Sequence, residues 1–205
     1  MPIWAGAPMA RSRARTGEPV LFVPGELRRE KGKQIVKSAV PELMGGNFSV
    51  LLQAGKSYRW HKTAGSQLKV APPQDYQAYL QLLMDADAVL LPYDPSEYAY
   101  RSSNLFVEAL GCGKPVLVTA GTAMADELER LGPVGLVMKD YTQRSFIEGV
   151  RDLVANLDQL RGAAERIAPE IRARHTAPAF ARQVLDWWRG DRAAETTPPE
   201  VARAR

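Results

Sequence analysis

The 205-residue sequence is poor in several things, and each shortage closes off a kind of chemistry. Cys112 is its single cysteine, so no internal disulfide framework can form, and a lone thiol fits a reducing cytoplasm. His61 and His175 stand far apart and, with one cysteine, are too few for a structural zinc site. No apolar run reaches the roughly 18 residues that a membrane span requires, and no signal-peptide pattern opens the chain. Gly113-Lys114 lacks the rest of a P-loop, because Glu108 stands where the earlier glycine belongs and Pro115 where Ser or Thr must follow the lysine. The turn "VPGELRREKG" is not Gly-x-Gly-x-x-Gly, which argues against a nicotinamide enzyme.

What remains is ordinary globular material: 45% hydrophobic and 24% charged residues in a length suited to one domain. The formal charge of +4 favours an anionic partner, with nucleotide phosphates, acidic lipid and nucleic acid as the candidates. Arg11, Arg13 and Arg15 near the start and the arginines of 161–205 carry much of that charge. Such flanks read first as solvated charge and second as a contact for an acidic surface, and nucleic acid is set aside.

Along the chain, the aperiodic stretch 1–18 reads as a linker or arm. "PVLFVPG" (19–25) is a buried strand stopped by Pro-Gly, and 32–44 has helical spacing at Ile35, Val36 and Ala39. Strands at 48–53 and 68–71 flank a polar loop at 54–65, and 72–86 is an amphipathic helix with Tyr76, Tyr79, Leu80 and Leu83 on one side. Strands at 87–93, 115–120 and 134–138 then alternate with helices around Glu108, at 122–131 and at 142–157. The first of these strands shows no polar alternation, as expected where both sheet faces are covered. Helices at 158–175 and 178–190 follow, and the tail from Asp191 has the composition of a disordered segment. Alternation of this kind predicts an α/β domain, a Rossmann-like doubly wound parallel sheet. Its ligand would sit beyond the strands' carboxyl ends, where the loops 24–32, 93–103 and 120–122 open.

In "YRSSNLFVEALGCGKPV" (100–116) one acid interrupts an apolar helix. Ser102, Ser103 and Asn104 are helix-capping types, and the free amides behind such a start bind phosphate. Glu108 follows four to six positions on, about 6–9 Å along the axis at roughly 1.5 Å per residue. That matches the distance from a diphosphate to the ribose of the same nucleotide, whose hydroxyls a carboxylate can bind. The competing reading is a solvent-exposed helix residue.

The stretch "DADAVLLPYDPSEYAYRSSNLFVEALGCGKPVLVT" resembles the donor-binding domain of retaining GT-B glycosyltransferases. So does "VPGELRREKG", which is similar to their Gly-Arg-x-x-x-x-Lys-Gly loop. The likeness runs over about residues 19–160 and implies a single GT-B half-domain. It implies that Glu108 holds the ribose, Lys31 the diphosphate, and the 102–104 backbone the phosphate and sugar. Tyr100 stands where the family has a second Glu, and Glu26 where it has Arg, leaving Arg28 or Arg101 to supply the positive charge. The expected ligand is a UDP- or GDP-linked sugar, with no metal or other cofactor, and the expected reaction is glycosyl transfer with retention. The rival is a non-catalytic nucleotide-sugar-binding module, a truncated product or one subunit of a split enzyme. GT-B enzymes have an acceptor-side domain first, and "MPIWAGAP" resembles their interdomain linker, so the acceptor is expected on another domain or chain. The implied layout is 1–18 arm, 19–176 nucleotide-sugar-binding domain, 177–190 C-terminal helix and 191–205 tail, in a cytoplasmic protein with a peripheral membrane surface as a further candidate contact.

Other residues take plainer expectations. Lys114 reads as solvated, Cys112 as a small residue at a tight junction with nucleophile as the remote alternative, and His61 as a loop residue. Trp187 and Trp188 read as packing anchors, one of which would be exposed without a first domain. Tyr98 and Tyr100 either shape the sugar pocket or close their loop onto the core.

Overall fold

A computed structural model describes residues 17–53 and 67–189. Residues 1–16 of the 1–18 arm, residues 54–66 with the polar loop and His61, and residues 190–205 with the tail lie outside the described residues.

Among the described residues six strands form one parallel sheet: β1 Val20–Val23, β2 Ser49–Gln53, β3 Leu68–Ala71, β4 Ala88–Leu91, β5 Val116–Thr119 and β6 Gly135–Met138. Their order is β3-β2-β1-β4-β5-β6. The chain winds outward from β1 to β3, returns to the centre, and winds outward again from β4 to β6. The reversal falls between β1 and β4, where a doubly wound sheet leaves a crevice beyond the carboxyl ends of its strands.

The helices are α1 Lys33–Leu43, α2 Tyr76–Asp85, α3 Pro95–Tyr98, α4 Asn104–Gly111, α5 Ala123–Leu131, α6 Gln143–Ala155, α7 Leu157–Arg174 and α8 Ala177–Arg189. Period-two alternation on the strands splits the core in two. Leu21 and Val23 of β1 join Leu90, Leu117 and the apolar stripes of α1 and α6 on one face. Phe22 joins Val89, Val116, Val118 and the inner sides of α2, α4, α5 and α7 on the other. Both faces are thus dry, which is why β1, β4 and β5 are buried throughout. Each fully buried Leu, Val or Phe contributes about 1.5–3 kcal/mol to that layering.

Two short elements occupy stretches that read as loops. Arg29–Lys31 forms a single 3-10 turn, and α3 is a four-residue helix capped by Asp94, whose side chain accepts from the Ser96 amide at 2.9 Å. Neither is long enough to show periodicity. Asp87 carries a structural load below β4, accepting from the Val20 amide and from Arg161 of α7, each at 2.8 Å.

Lys114 corrects the sequence reading. It is 2% exposed, not solvated, and its Nζ donates to the Met84 carbonyl at 2.7 Å. The turn after α4 points the side chain under the C-terminal end of α2, where unsatisfied carbonyls favour a cation. Burial pushes its pKa down, partly opposed by Asp87. Trp187 and Trp188 do not anchor a core: both are largely exposed on α8, which buries none of its residues.

Candidate functional site

At the crevice between β1 and β4 the structure opens a cleft of about 570 Å³. Its floor is made where the loops after those strands meet. Gly25 ends the first strand's exit with φ +76°, a conformation that favours glycine, and its amide donates to Gln53 Oε1 at 2.7 Å. Gly32 starts α1 with φ +80°, and a Cβ there would lie 2.2 Å from the Pro92 carbonyl oxygen. The Asp94 amide donates to the Glu30 carbonyl at 2.9 Å and the Tyr141 hydroxyl to the Arg29 carbonyl at 3.2 Å. The loop bearing Arg28 and Lys31 is therefore pinned at several points along its length.

One end of the cleft is cationic. Tyr93 and Tyr98 pack with ring centroids 4.5 Å apart. Lys31 Nζ lies 5.7 Å from the Tyr93 centroid, and the Arg101 guanidinium 4.7 Å from that of Tyr98. Arg28 completes the group, pairing with Glu30 at 3.1 Å, while Arg101 has only a loose contact with Glu97 at 3.7 Å. Lys31 forms no ion pair among the described residues. Burial first and the neighbouring Arg28 second hold its pKa below the ordinary lysine value. Glu30 and Glu26 oppose that fall, but Arg28, Lys31 and Arg101 line the cleft and these acids do not, so the cleft's cationic end suits an anion.

Ser103 caps α4, its Oγ accepting from the Phe106 amide at 3.4 Å. Helix geometry leaves the amides of Asn104 and Leu105 without an intrahelical acceptor, and both residues line the cleft. One turn further on, Glu108 is buried to 6% exposure and accepts from the Tyr79 hydroxyl at 2.5 Å. Desolvation raises its pKa above the ordinary glutamate value, and the Tyr79 bond opposes that rise. The other end of α4 is held by Arg172 of α7, whose Nη1 donates to the Gly111 carbonyl at 2.6 Å.

The structure thus brings Arg28, Lys31, Arg101, Ser102, Ser103, Asn104 and Glu108 onto one cleft. Tyr98 lines it too, from a buried position, whereas Tyr100 is 99% exposed and lies off the cleft wall. Gln53, Tyr76 and Tyr79 are lining residues that sequence reasoning missed. The first ends a strand and the other two sit on the apolar side of α2, so each passes for core. Cys112 is buried behind α4 with its pKa pushed up to about 11, so the thiol stays protonated near neutrality. A second cavity of about 300 Å³ between α4, α5 and α7 is walled mainly by apolar side chains and gathers no comparable charge. No helix among the described residues is long and apolar enough to cross a membrane.

The sheet order and the position of the cleft define a Rossmann-like domain. The chain belongs to the glycosyl transferases group 1 family, whose sequence profile matches residues 8–170. Its fold is that of one half of a GT-B glycosyltransferase. Sucrose-phosphate synthase from Thermosynechococcus elongatus superposes with a TM-score of 0.64 at 18% identity, covering 84% of this chain and 45% of its own. A glycosyltransferase from Rickettsia africae gives 0.66 at 12% identity, covering 86% and 48%. Anabaena HepE, crystallised with UDP and glucose, gives 0.62 at 16% identity, covering 84% and 48%. The chain spans about half the length of these solved structures. No curated protein matches it.

Proposed function

We propose that this domain binds a nucleoside diphosphate sugar and serves as the donor half of a glycosyltransferase. The carrying observation is the layout of one cleft, with cations and helix-start amides at one end and a buried carboxylate one turn away. On this reading Glu108 accepts hydrogen bonds from the ribose hydroxyls. Lys31, Arg28 and Arg101 neutralise the diphosphate together with the Asn104 and Leu105 amides. HepE's crystallisation with UDP-glucose is consistent with that ligand class.

The same groups would act in the reaction. Glycosyl transfer breaks the bond between the anomeric carbon and the diphosphate oxygen, so negative charge grows on the leaving diphosphate. Amides and cations already aimed at that position stabilise the developing charge without reorganising. They do the work that a metal would otherwise do, so turnover is expected to persist in a chelator. Retention of anomeric configuration is the proposed outcome, and the acceptor is proposed to come from another domain or chain. The exposed Phe180, Trp187 and Trp188 of α8 favour such a companion surface, and on the same grounds a role as a non-catalytic module or as one subunit of a split enzyme. A peripheral acidic membrane in the cytoplasm is the remaining proposed contact, through the basic flanks.

Calorimetric titration with UDP, GDP and ADP tests the reading. One nucleotide is expected to bind, and Glu108→Gln to weaken it at least tenfold without unfolding the chain. Equal affinity in that variant would sink the ribose assignment. Transfer by the chain alone would refute the non-catalytic alternative, and transfer only with a second polypeptide would establish the split form.

A further inference from the structure

The hydroxyl that Glu108 meets in this structure belongs to Tyr79, and aromatic packing holds it in place. The Tyr79 ring is 8% exposed and packs against Phe22 of β1, centroids 6.3 Å apart, and against Tyr76 one turn earlier on α2 at 6.1 Å. Phe22 is fully buried at the centre of the sheet. The hydroxyl is therefore fixed by core packing, and it reaches across from α2 to Glu108 Oε2 at 2.5 Å on α4. A phenol donating to a carboxylate at this distance is a charge-assisted bond, about twice as strong as a neutral one.

We infer that Tyr79 is a positioning residue for the nucleotide: its hydroxyl takes one oxygen of Glu108 and thereby aims the carboxylate's remaining acceptors at the ribose. The inference rests on the reading of Glu108 as the ribose ligand. It explains how a carboxylate can sit in an apolar helix face and still serve an aqueous ligand. The titratable groups facing Glu108 are Tyr76 and Tyr79 from α2, Tyr93 after β4, and Cys112 after α4. All four have pKa values raised, Tyr76 to about 12 and Cys112 to about 11, with burial the first cause, so all are neutral at pH 7. None brings a positive charge. The Tyr79 bond is what opposes the desolvation of Glu108. Without it the carboxylate would take up a proton at higher pH, and a protonated carboxyl is a poorer acceptor for ribose hydroxyls.

The test uses the full chain in four forms: unchanged, Tyr79→Phe, Glu108→Gln and the double variant. Tyr79→Phe keeps the packed ring and removes the hydroxyl alone, so the fold is expected to hold. Calorimetry with whichever of UDP, GDP and ADP binds tightest should give about tenfold weaker binding for Tyr79→Phe at pH 7, the loss expected for one charge-assisted bond. In the Glu108→Gln background the same change should cost nothing further. The acid limb of nucleotide binding should also move to higher pH in Tyr79→Phe. A Tyr79→Phe protein that binds like the unchanged chain overturns the inference, as does a full tenfold loss in the Glu108→Gln background. Unchanged affinity in Glu108→Gln overturns the ribose assignment itself. Carboxyl NMR of Glu108, read without nucleotide, separates the two: a higher titration midpoint in Tyr79→Phe supports the inferred contact, and an unmoved midpoint overturns it whatever the nucleotide does.

Discussion

Helices α4 and α8 are both rich in apolar residues, and the molecule uses them in opposite ways. In α4, Phe106, Ala109 and Leu110 are buried and even Glu108 is covered. In α8, Phe180, Val184, Leu185, Trp187 and Trp188 are all exposed, and the helix touches the rest of the described chain mainly through α7. The apolar residues of α8, at 180, 184, 185, 187 and 188, fall on one side of the helix. Amphipathicity thus identifies a surface that needs covering, and packing alone reveals whether the chain itself covers it. α4 is sealed between the sheet and α7, and what it exposes at its start is polar and aimed at the cleft. α8 offers a surface that the described residues leave exposed.

A matched pair of truncations breaks the comparison most sharply. Leu110→Ala, at a position with 0% exposure, is expected to cost about 3 kcal/mol and lower the melting temperature by about 6–12 °C. Leu185→Ala, at 48% exposure, should shift it hardly at all. Equal losses in thermal unfolding would mean that α8 is packed. Next in size, Arg172→Met removes the donor to the Gly111 carbonyl and should cost about 1–2 kcal/mol. Its loss should also loosen the end of α4, seen as faster amide exchange at Cys112 and Gly113.

A smaller effect is a slope with pH. Because burial raises the Glu108 pKa in the folded state, the folded chain holds that proton where the unfolded chain has released it. The stability from this group is present below about pH 4.5, its ordinary value, and is lost as pH rises through the folded pKa. Glu108→Gln should therefore gain stability relative to the unchanged chain between pH 4 and pH 7, while losing nucleotide affinity. A constant difference in melting temperature across that range would contradict the raised pKa. The smallest effect belongs to Trp188→Ser, expected within about 0.5 kcal/mol in unfolding. Its consequence should appear instead as weaker binding of bis-ANS or less self-association.

The sheet was legible because its strands are apolar on both faces and its helices are punctuated. Asp87-Ala88 through Tyr93 could hardly be anything but a central strand, and the first strand and the helix start at Ser103 fell within two residues of their places. Glu108 stood out for the same reason, as an acid where burial forbids an unpartnered one. Tyr79 and Gln53 did not stand out, since their side chains line the cleft while their positions follow the core pattern. Nothing local in the sequence says that Gln53 turns back to hold Gly25, because that bond spans 28 residues. Lys114 was misjudged for a related reason. A helix-to-strand junction is usually at the surface, and the packing of α2 and α7 around it makes this one an interior.

The meeting of Gly32 with Pro92 has a consequence for anyone wishing to re-engineer this cleft. Two loops sixty residues apart interlock so closely that a single methyl group at Gly32 would meet the Pro92 carbonyl. The amide of Asp94 is fastened to Glu30 two residues away. Neither loop is a cassette. A segment grafted after β1 must arrive with its counterpart after β4, and a library that varies one while holding the other fixed will return mostly unfolded clones. Variation is tolerated instead at the exposed Gln74 on the cleft's rim, away from the joint.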